Sequence, residues 1–192
     1  MLLMHTDPHD PHGQDLLAIM TRLGLTNGEV MLSTQKVPPE HLSAVYNSVD
    51  CTINIADAEG FGLATFESLA CETPIIVSMT GGLQEQVTDG EKWFGIGIEP
   101  TSRAVIGSLE VPYIYEDRIS EEAFVSALIK FHNMPKEDRA ELGRLGRKHL
   151  EKNYSMESFA KKWDHILTNV VKNYGSWETR KNYKSWEMME IK

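Results

Sequence analysis

Two carboxylates, Glu59 and Glu67, stand eight positions apart in the stretch "ADAEGFGLATFESLACETPIIVS", with Gly60 and Gly62 between them. A glutamate just ahead of a helix and another on its flank could accept hydrogen bonds from a hydroxyl-rich ligand. The start of the helix could hold an anion. If a helix begins near Gly62, the N–H groups of Phe61, Gly62 and Leu63 lack intrahelical acceptors, and the helix dipole adds positive partial charge there. Glycine also lets a phosphate approach the backbone closely. Phe66, Leu69 and Ala70 would then form the core stripe, with Glu67 beside it, four residues after Leu63 and four before Cys71. A carboxylate on so apolar a flank needs donors, because unpaired burial is costly. Ribose hydroxyls would supply them. Glu59, in the loop, would repel bare phosphate yet accept hydrogen bonds from sugar hydroxyls next to it. By spacing alone the pair fits a helix cap plus a rim carboxylate equally well.

The elements that must position these residues follow from periodicity. "LLMH" reads as a buried strand and "TDPHDPHG" as the loop after it. "QDLLAIMTRLGL" has helical spacing and stops at Gly24; "EVMLS" is a strand; "PPEHLSAVYNSVD" starts on prolines suited to a first helical turn. "CTINIA", "FGLATFESLACE", "PIIVS" and "GLQEQVTDG" continue the alternation, the last closed by Gly90. A β-α-β-α-β-α-β-α order with strands apolar throughout predicts a parallel sheet covered on both faces by helices, a Rossmann-like α/β fold. Ligands in such sheets collect at the carboxyl ends of the strands, which is where residues 56–67 fall. Residues 95–117 break the rhythm and read as a β-ribbon insertion around Gly107 and Ser108. Three amphipathic C-terminal helices follow, with Ser120 and Ser155 as N-caps. One Rossmann-like domain is expected over 1–170 and a tail over 171–192, where "KNYGSWE" returns as "KNYKSWE". That repeat is too short for a solenoid unit.

Composition narrows the function. The chain of 192 residues carries a net charge of −9, which argues against nonspecific affinity for nucleic acid or an anionic membrane. Cys51 and Cys71 read as buried free thiols of a reducing compartment, so a cytoplasmic location is expected. His5, Asp7, His9, Asp10 and His12 crowd one loop, but their spacing matches no metal site and they read as a polar strand-end loop. Arg103 and Arg118 read as solvent-exposed cations, "RLGRKHLEK" as a solvated helix face, and Trp163, Trp177 and Trp186 as packing residues.

The segment Glu59-Gly-Phe-Gly-Leu-Ala-Thr-Phe-Glu67, followed by "SLACETPIIVS" and "GGLQEQVTDG" and preceded by "VPPEHLSAVYNSVDCTINIADAEGFG", resembles the donor half of the retaining GT-B glycosyltransferases of group 1. Two glutamates separated by seven residues (EX7E) are that family's signature. The resemblance covers roughly residues 1–99 and 118–170, and it implies the C-terminal half of a GT-B fold. It implies that Glu59, the candidate catalytic residue, holds hydroxyls of the donor sugar without acting as a nucleophile. Gly60, Phe61, Gly62 and Leu63 would form the diphosphate loop, with the amides of the last three as donors. Glu67 would bind the nucleotide ribose, and Lys36 and Val37 the base. Gly81 and Gly82 would border the donor sugar, or else form a tight turn only. The implied reaction transfers a glycosyl group from a nucleoside diphosphate sugar to an acceptor hydroxyl with retention, and needs no metal or other cofactor.

The chain also departs from the family pattern. The acceptor-binding N-terminal domain has no counterpart here, and no basic pair like the one the family sets before this region precedes Lys36. The expectation is therefore a truncated product, a fragment, or one half of a split enzyme that needs a separate N-terminal partner or self-associates through its aromatic C-terminal helix. Three rivals remain: a nucleotide-sugar-binding module without turnover, a flavodoxin-like domain in which the glutamate spacing is coincidental, and a GT-B sugar-nucleotide epimerase.

Overall fold

The structure is a computed structural model that describes residues 1–11 and 13–182. The chain alternates β1 (Leu2–His5), α1 (Leu16–Leu23), β2 (Val30–Ser33), α2 (Pro39–Asn47), β3 (Thr52–Asn54), α3 (Leu63–Ala70), β4 (Ile75–Ser78), α4 (Leu83–Val87) and β5 (Gly95–Ile98). β6 (Ser102–Ile106), β7 (Ile114–Arg118), α5 (Glu121–Asn133), α6 (Lys136–Asn153) and α7 (Met156–Tyr174) follow. Two compact units divide between Arg147 and Lys148, within α6.

Local sequence explains the boundaries. The Asp15 carboxylate accepts from Ala18 N–H at 3.0 Å to start α1, and Gly24 ends it at φ 72°. The Ser120 hydroxyl accepts from Ala123 N–H at 3.1 Å to cap α5. α4 ends at Val87 on an extended Thr88, so Gly90 serves the turn after the helix rather than its cap.

In the first unit every β1–β5 pairing is parallel, in two sets, β1-β2 and β3-β4-β5. Helices pack on the second set to form the core. Ile76, Ile96, Ile98, Ala127 and Phe131 seal one cluster between the strands and α5, with Ile53 and Cys51 packed against it. Leu69, Leu83 and Val87 of α3 and α4 are fully buried as well. Gly95–Ile98 was expected to belong to the ribbon but is a parallel strand on β4. Gly95 is needed there because a Cβ would come within 2.0 Å of the Ile75 carbonyl oxygen. The antiparallel ribbon is β6-β7, with Ser102 opposite Arg118 and Ile106 opposite Ile114.

Three expectations are corrected. β1 is not buried: Leu2 is 43% exposed, β2 is its one strand partner among the described residues, and α1 contributes no buried residue to cover it. On α3 the buried face is Thr65, Ser68 and Leu69, while Ala70 is exposed. Trp163 and Trp177 are not packing residues, being 48% and 83% exposed. Trp163 stands in an open stripe of α7 with Phe159, Ile166, Val170 and Tyr174. Trp177 takes the Arg180 guanidinium over its ring at 4.1 Å. His12, Trp186 and the second copy of the tail repeat lie outside the described residues.

Candidate functional site

The connections that leave the carboxyl ends of β2, β3 and β4 carry the candidate residues. The β3–α3 connection ends on Gly62, the N-cap of α3, at φ 86°. A side chain there would be strained and would meet Leu83 Cδ2 at 2.6 Å and Thr65 Oγ1 at 2.8 Å. Leu63 and Gly62 thus open α3 with their amides in the first turn, where helix geometry provides no intrahelical acceptor.

The β4–α4 connection packs onto this loop through backbone alone. Gly82 N–H donates to Gly60 O at 3.1 Å. A Cβ on Gly81 would fall 1.7 Å from Glu59 O, and one on Gly82 2.7 Å from Gly60 O. Both glycines are therefore required by close approach, beyond any turn they make.

Gln86 of α4 locks the arrangement. It is 1% exposed, and its Nε2 donates to Phe61 O at 2.5 Å and Gly62 O at 3.2 Å. Its Oε1 accepts from Thr65 Oγ1 at 2.7 Å, so every polar atom of the side chain is used. Sequence reasoning passed over this residue because a glutamine in a short helix reads as surface. Its signal is its place three residues after Leu83 and next to Val87, on the apolar face of α4.

The two glutamates sit at opposite ends of this assembly, each half-buried. Glu59 Oε2 accepts from Asn54 Nδ2 at 3.3 Å, and Asn54 is held in turn by Ala56 N–H to its Oδ1 at 3.1 Å. Glu67, one turn into α3, accepts the Tyr46 hydroxyl at 2.7 Å on Oε2. Burial, and then that hydrogen bond and the carboxylate charge, push the Tyr46 phenol well above its usual range. Sequence reasoning placed Tyr46 on the apolar face of α2 without assigning it a partner.

Lys36 and Val37 lie in the β2–α2 connection, Lys36 exposed and Val37 half-buried. No hydrogen bond joins them to the glutamates among the described residues; their link to the site is α2, the helix they precede, which carries Tyr46. His5 at the end of β1 shares a 2.9 Å hydrogen bond with Ser33 at the end of β2. Among the described residues no three His, Cys, Asp or Glu side chains converge as metal ligands. Burial raises both thiols, Cys51 to about 11, so both are poor nucleophiles near neutral pH.

A half-buried carboxylate thus stands on each side of a glycine-lined helix start. The family model of the group 1 glycosyl transferases matches residues 21–149, more than half of the 192 residues. The chain belongs to that family.

Among its group 1 relatives, the D-inositol 3-phosphate glycosyltransferase of Acidothermus cellulolyticus is 31% identical over 119 residues, 61% of this chain and 26% of the relative. That of Rhodococcus erythropolis is 37% identical over 76 residues, 40% of this chain and 17% of the relative. The chain thus spans about a quarter or less of the length of these relatives. In fold it is similar to sucrose-phosphate synthase from Thermosynechococcus elongatus, with a TM-score of 0.64 at 20% identity over 89% of this chain and 38% of that one. It is likewise similar to the catalytic domain of starch synthase IV from Arabidopsis thaliana bound to ADP and acarbose, with a TM-score of 0.61 at 20% identity over 90% of this chain and 32% of that one. The parallel α/β architecture is that of the C-terminal domain of a group 1 glycosyl transferase. No helix among the described residues is long and apolar enough to cross a membrane.

Proposed function

We propose that this chain binds the nucleoside diphosphate sugar for a retaining glycosyl transfer and works with a separate acceptor-binding domain or subunit. The observation that carries the reading is the placement of Glu59 and Glu67 on either side of the α3 N-terminus, with Gly81 and Gly82 packed against the loop between them.

In this reading the ribose hydroxyls donate to Glu67, whose Oε2 is already fixed by Tyr46. Lys36 and Val37 contact the base. The amides of Phe61, Gly62 and Leu63 face the diphosphate, and Gly60 gives it room. Glu59 takes hydroxyls of the donor sugar and so orients the anomeric carbon. The bond from that carbon to the β-phosphate oxygen breaks, the acceptor hydroxyl adds to the same face, and its proton leaves with the diphosphate. Charge grows on the departing phosphate, where preorganised amides at a helix start stabilise it most. Glu59 acts by position and not as a nucleophile. The reaction draws on no metal or cofactor.

The D-inositol 3-phosphate for which the relatives are named belongs to proteins of which this chain spans about a quarter or less. Binding without turnover is the expected behaviour of the chain by itself. The open apolar stripe of α7 is where a partner domain or a second copy would seat. A cytoplasmic setting fits two free thiols.

Calorimetric titration with UDP, GDP and ADP, with and without EDTA, tests the reading. One diphosphate should bind, EDTA should leave its affinity unchanged, and Glu67→Ala should weaken it by about 1–3 kcal/mol, the cost of unpaired hydroxyls. A folded chain that binds none of the three overturns it.

A further inference from the structure

The β6-β7 ribbon touches both loops of the candidate site through one residue. Asp117 on β7 donates its backbone N–H to Asp57 O at 2.7 Å, in the connection that carries Glu59. Its carboxylate Oδ2 accepts the Thr80 hydroxyl at 2.9 Å, in the connection that carries Gly81 and Gly82. The other oxygen accepts from Arg103 Nε at 2.7 Å, across the ladder from its paired residue. The neighbouring Arg118 pairs with the Asp57 carboxylate at 3.1 Å and with Glu116. Three bonds to two loops thus issue from the end of a ribbon that contributes nothing to the parallel sheet.

Ser78 and Gln86 hold the two ends of the Glu59 loop, at Ala56 O and at Phe61 O and Gly62 O, and Asp117 braces its middle against the Gly81–Gly82 loop. Their mutual contact is glycine backbone against carbonyl oxygens, with no side chain of Gly81 or Gly82 to key it. Because Gly81 packs directly on Glu59 O, any shift of the Gly81–Gly82 loop would carry the Glu59 backbone with it. We propose that Asp117 is a positioning residue of the donor site, fixing the Glu59 loop and the Gly81–Gly82 loop at the separation that a bound donor sugar requires. The proposal rests on the donor-site reading above.

The setting suits the role. The Asp117 side chain is 15% exposed and Thr80 4%, so their hydrogen bond is little diluted by water. Arg103, outside on the ribbon, holds the carboxylate in one rotamer and, with Thr80, holds its pKa below the usual range. The backbone N–H to Asp57 survives any substitution except proline, so removing the carboxylate isolates the Thr80 half of the brace.

The experiment compares the full chain with Asp117→Ala, Thr80→Val and Thr80→Ser. Exchange of the Gly82 amide should accelerate about tenfold in the first two, what a lost hydrogen bond to a charged group is worth, and return to the wild-type rate in Thr80→Ser. The Ile76 and Val77 amides of β4 should keep their protection in all of them. Whichever of UDP-glucose, GDP-mannose and ADP-glucose binds the wild type should bind Asp117→Ala about tenfold more weakly. Affinity for the matching nucleoside monophosphate, held by Glu67 and the base contacts, should change by less than about twofold. Unchanged Gly82 exchange in Asp117→Ala overturns the proposal, as does an equal loss of sugar nucleotide and monophosphate. If the wild type binds none of the sugar nucleotides, the donor-site reading fails, and the brace stands or falls on Gly82 exchange alone.

Discussion

Tyr46 and Glu67 are joined by a 2.7 Å hydrogen bond from phenol to carboxylate, across twenty-one residues of chain and two helices. The phenol removes one carboxylate oxygen from competition and aims the rest of the group. In Tyr46→Phe the carboxylate loses its intramolecular donor, and nucleoside diphosphate affinity should fall about tenfold by titration. The same bond has a signature at high pH. The folded pKa of Tyr46 is raised, so its contribution to stability is fully present below the unfolded value of about 10 and is lost as pH rises through the folded value. The difference in ultraviolet absorbance titration between wild type and Tyr46→Phe should show one phenol ionising later than free tyrosine. A difference curve with a midpoint near 10 would refute this.

Gln86→Leu keeps the shape of the side chain but removes three buried hydrogen bonds, to Phe61 O, Gly62 O and Thr65 Oγ1, while Gly62 O keeps the Phe66 N–H and the Thr65 hydroxyl. Losing these bonds inside a buried site should destabilise the fold by about 1–3 kcal/mol. Thermal unfolding should show it as a loss of about 2–4 °C per kcal/mol for a chain of this length. Diphosphate binding should weaken too, because the same residue holds the start of α3.

Glu72 adopts φ 61° directly after α3, in the left-handed region where a side chain is unfavourable, and its own side chain is exposed. Glu72→Gly should therefore stabilise the protein by about 1 kcal/mol. Gly143→Ala should do the reverse, since its Cβ would sit 1.8 Å from the Glu72 carbonyl oxygen. A melting temperature that fails to rise in Glu72→Gly would show that the turn carries no strain.

Asp117 is held below the usual carboxylate range by Arg103 and then by Thr80. A depressed folded pKa means the stabilisation is present above the unfolded value of about 3.9 and disappears as pH falls through the folded value. Chemical shifts of Thr80 and Gly82 should therefore hold steady down to about pH 4 and move below it. In Asp117→Asn that low-pH transition should vanish.

Legibility in the sequence followed chemical type. Leu63–Ala70 was readable as a helix, and Gly62 as its start, because glycine and apolar spacing both mark it. The buried face was misread because α3 turns Thr65 and Ser68 inward, where Gln86, Thr52 and the Thr73 carbonyl satisfy their hydroxyls. Hydrophobic periodicity does not register a polar residue whose partner lies elsewhere in the chain. β5 was hidden by Gly95 and Gly97, which dilute its β character yet are demanded by the Ile75 carbonyl and by the Met79 and Trp93 side chains. The roles of Asp117 and Tyr46 depend on contacts 37 and 21 residues away, which no local pattern encodes.

The uneven burial of the first unit has a thermodynamic consequence. β4 is sealed on every residue, whereas α1 and α2 contain no buried residue at all. Segments with few buried apolar contacts open at lower free energy than the core they adjoin. The connection bearing Lys36 and Val37 thus belongs to the part of the chain that opens first, and the glycine loops adjoin the part that opens last. A ligand that spans the two couples their opening, so occupancy raises the protection of β1 and β2 amides far more than that of β4. Part of its binding energy is then spent as order in a segment that the empty protein holds only loosely.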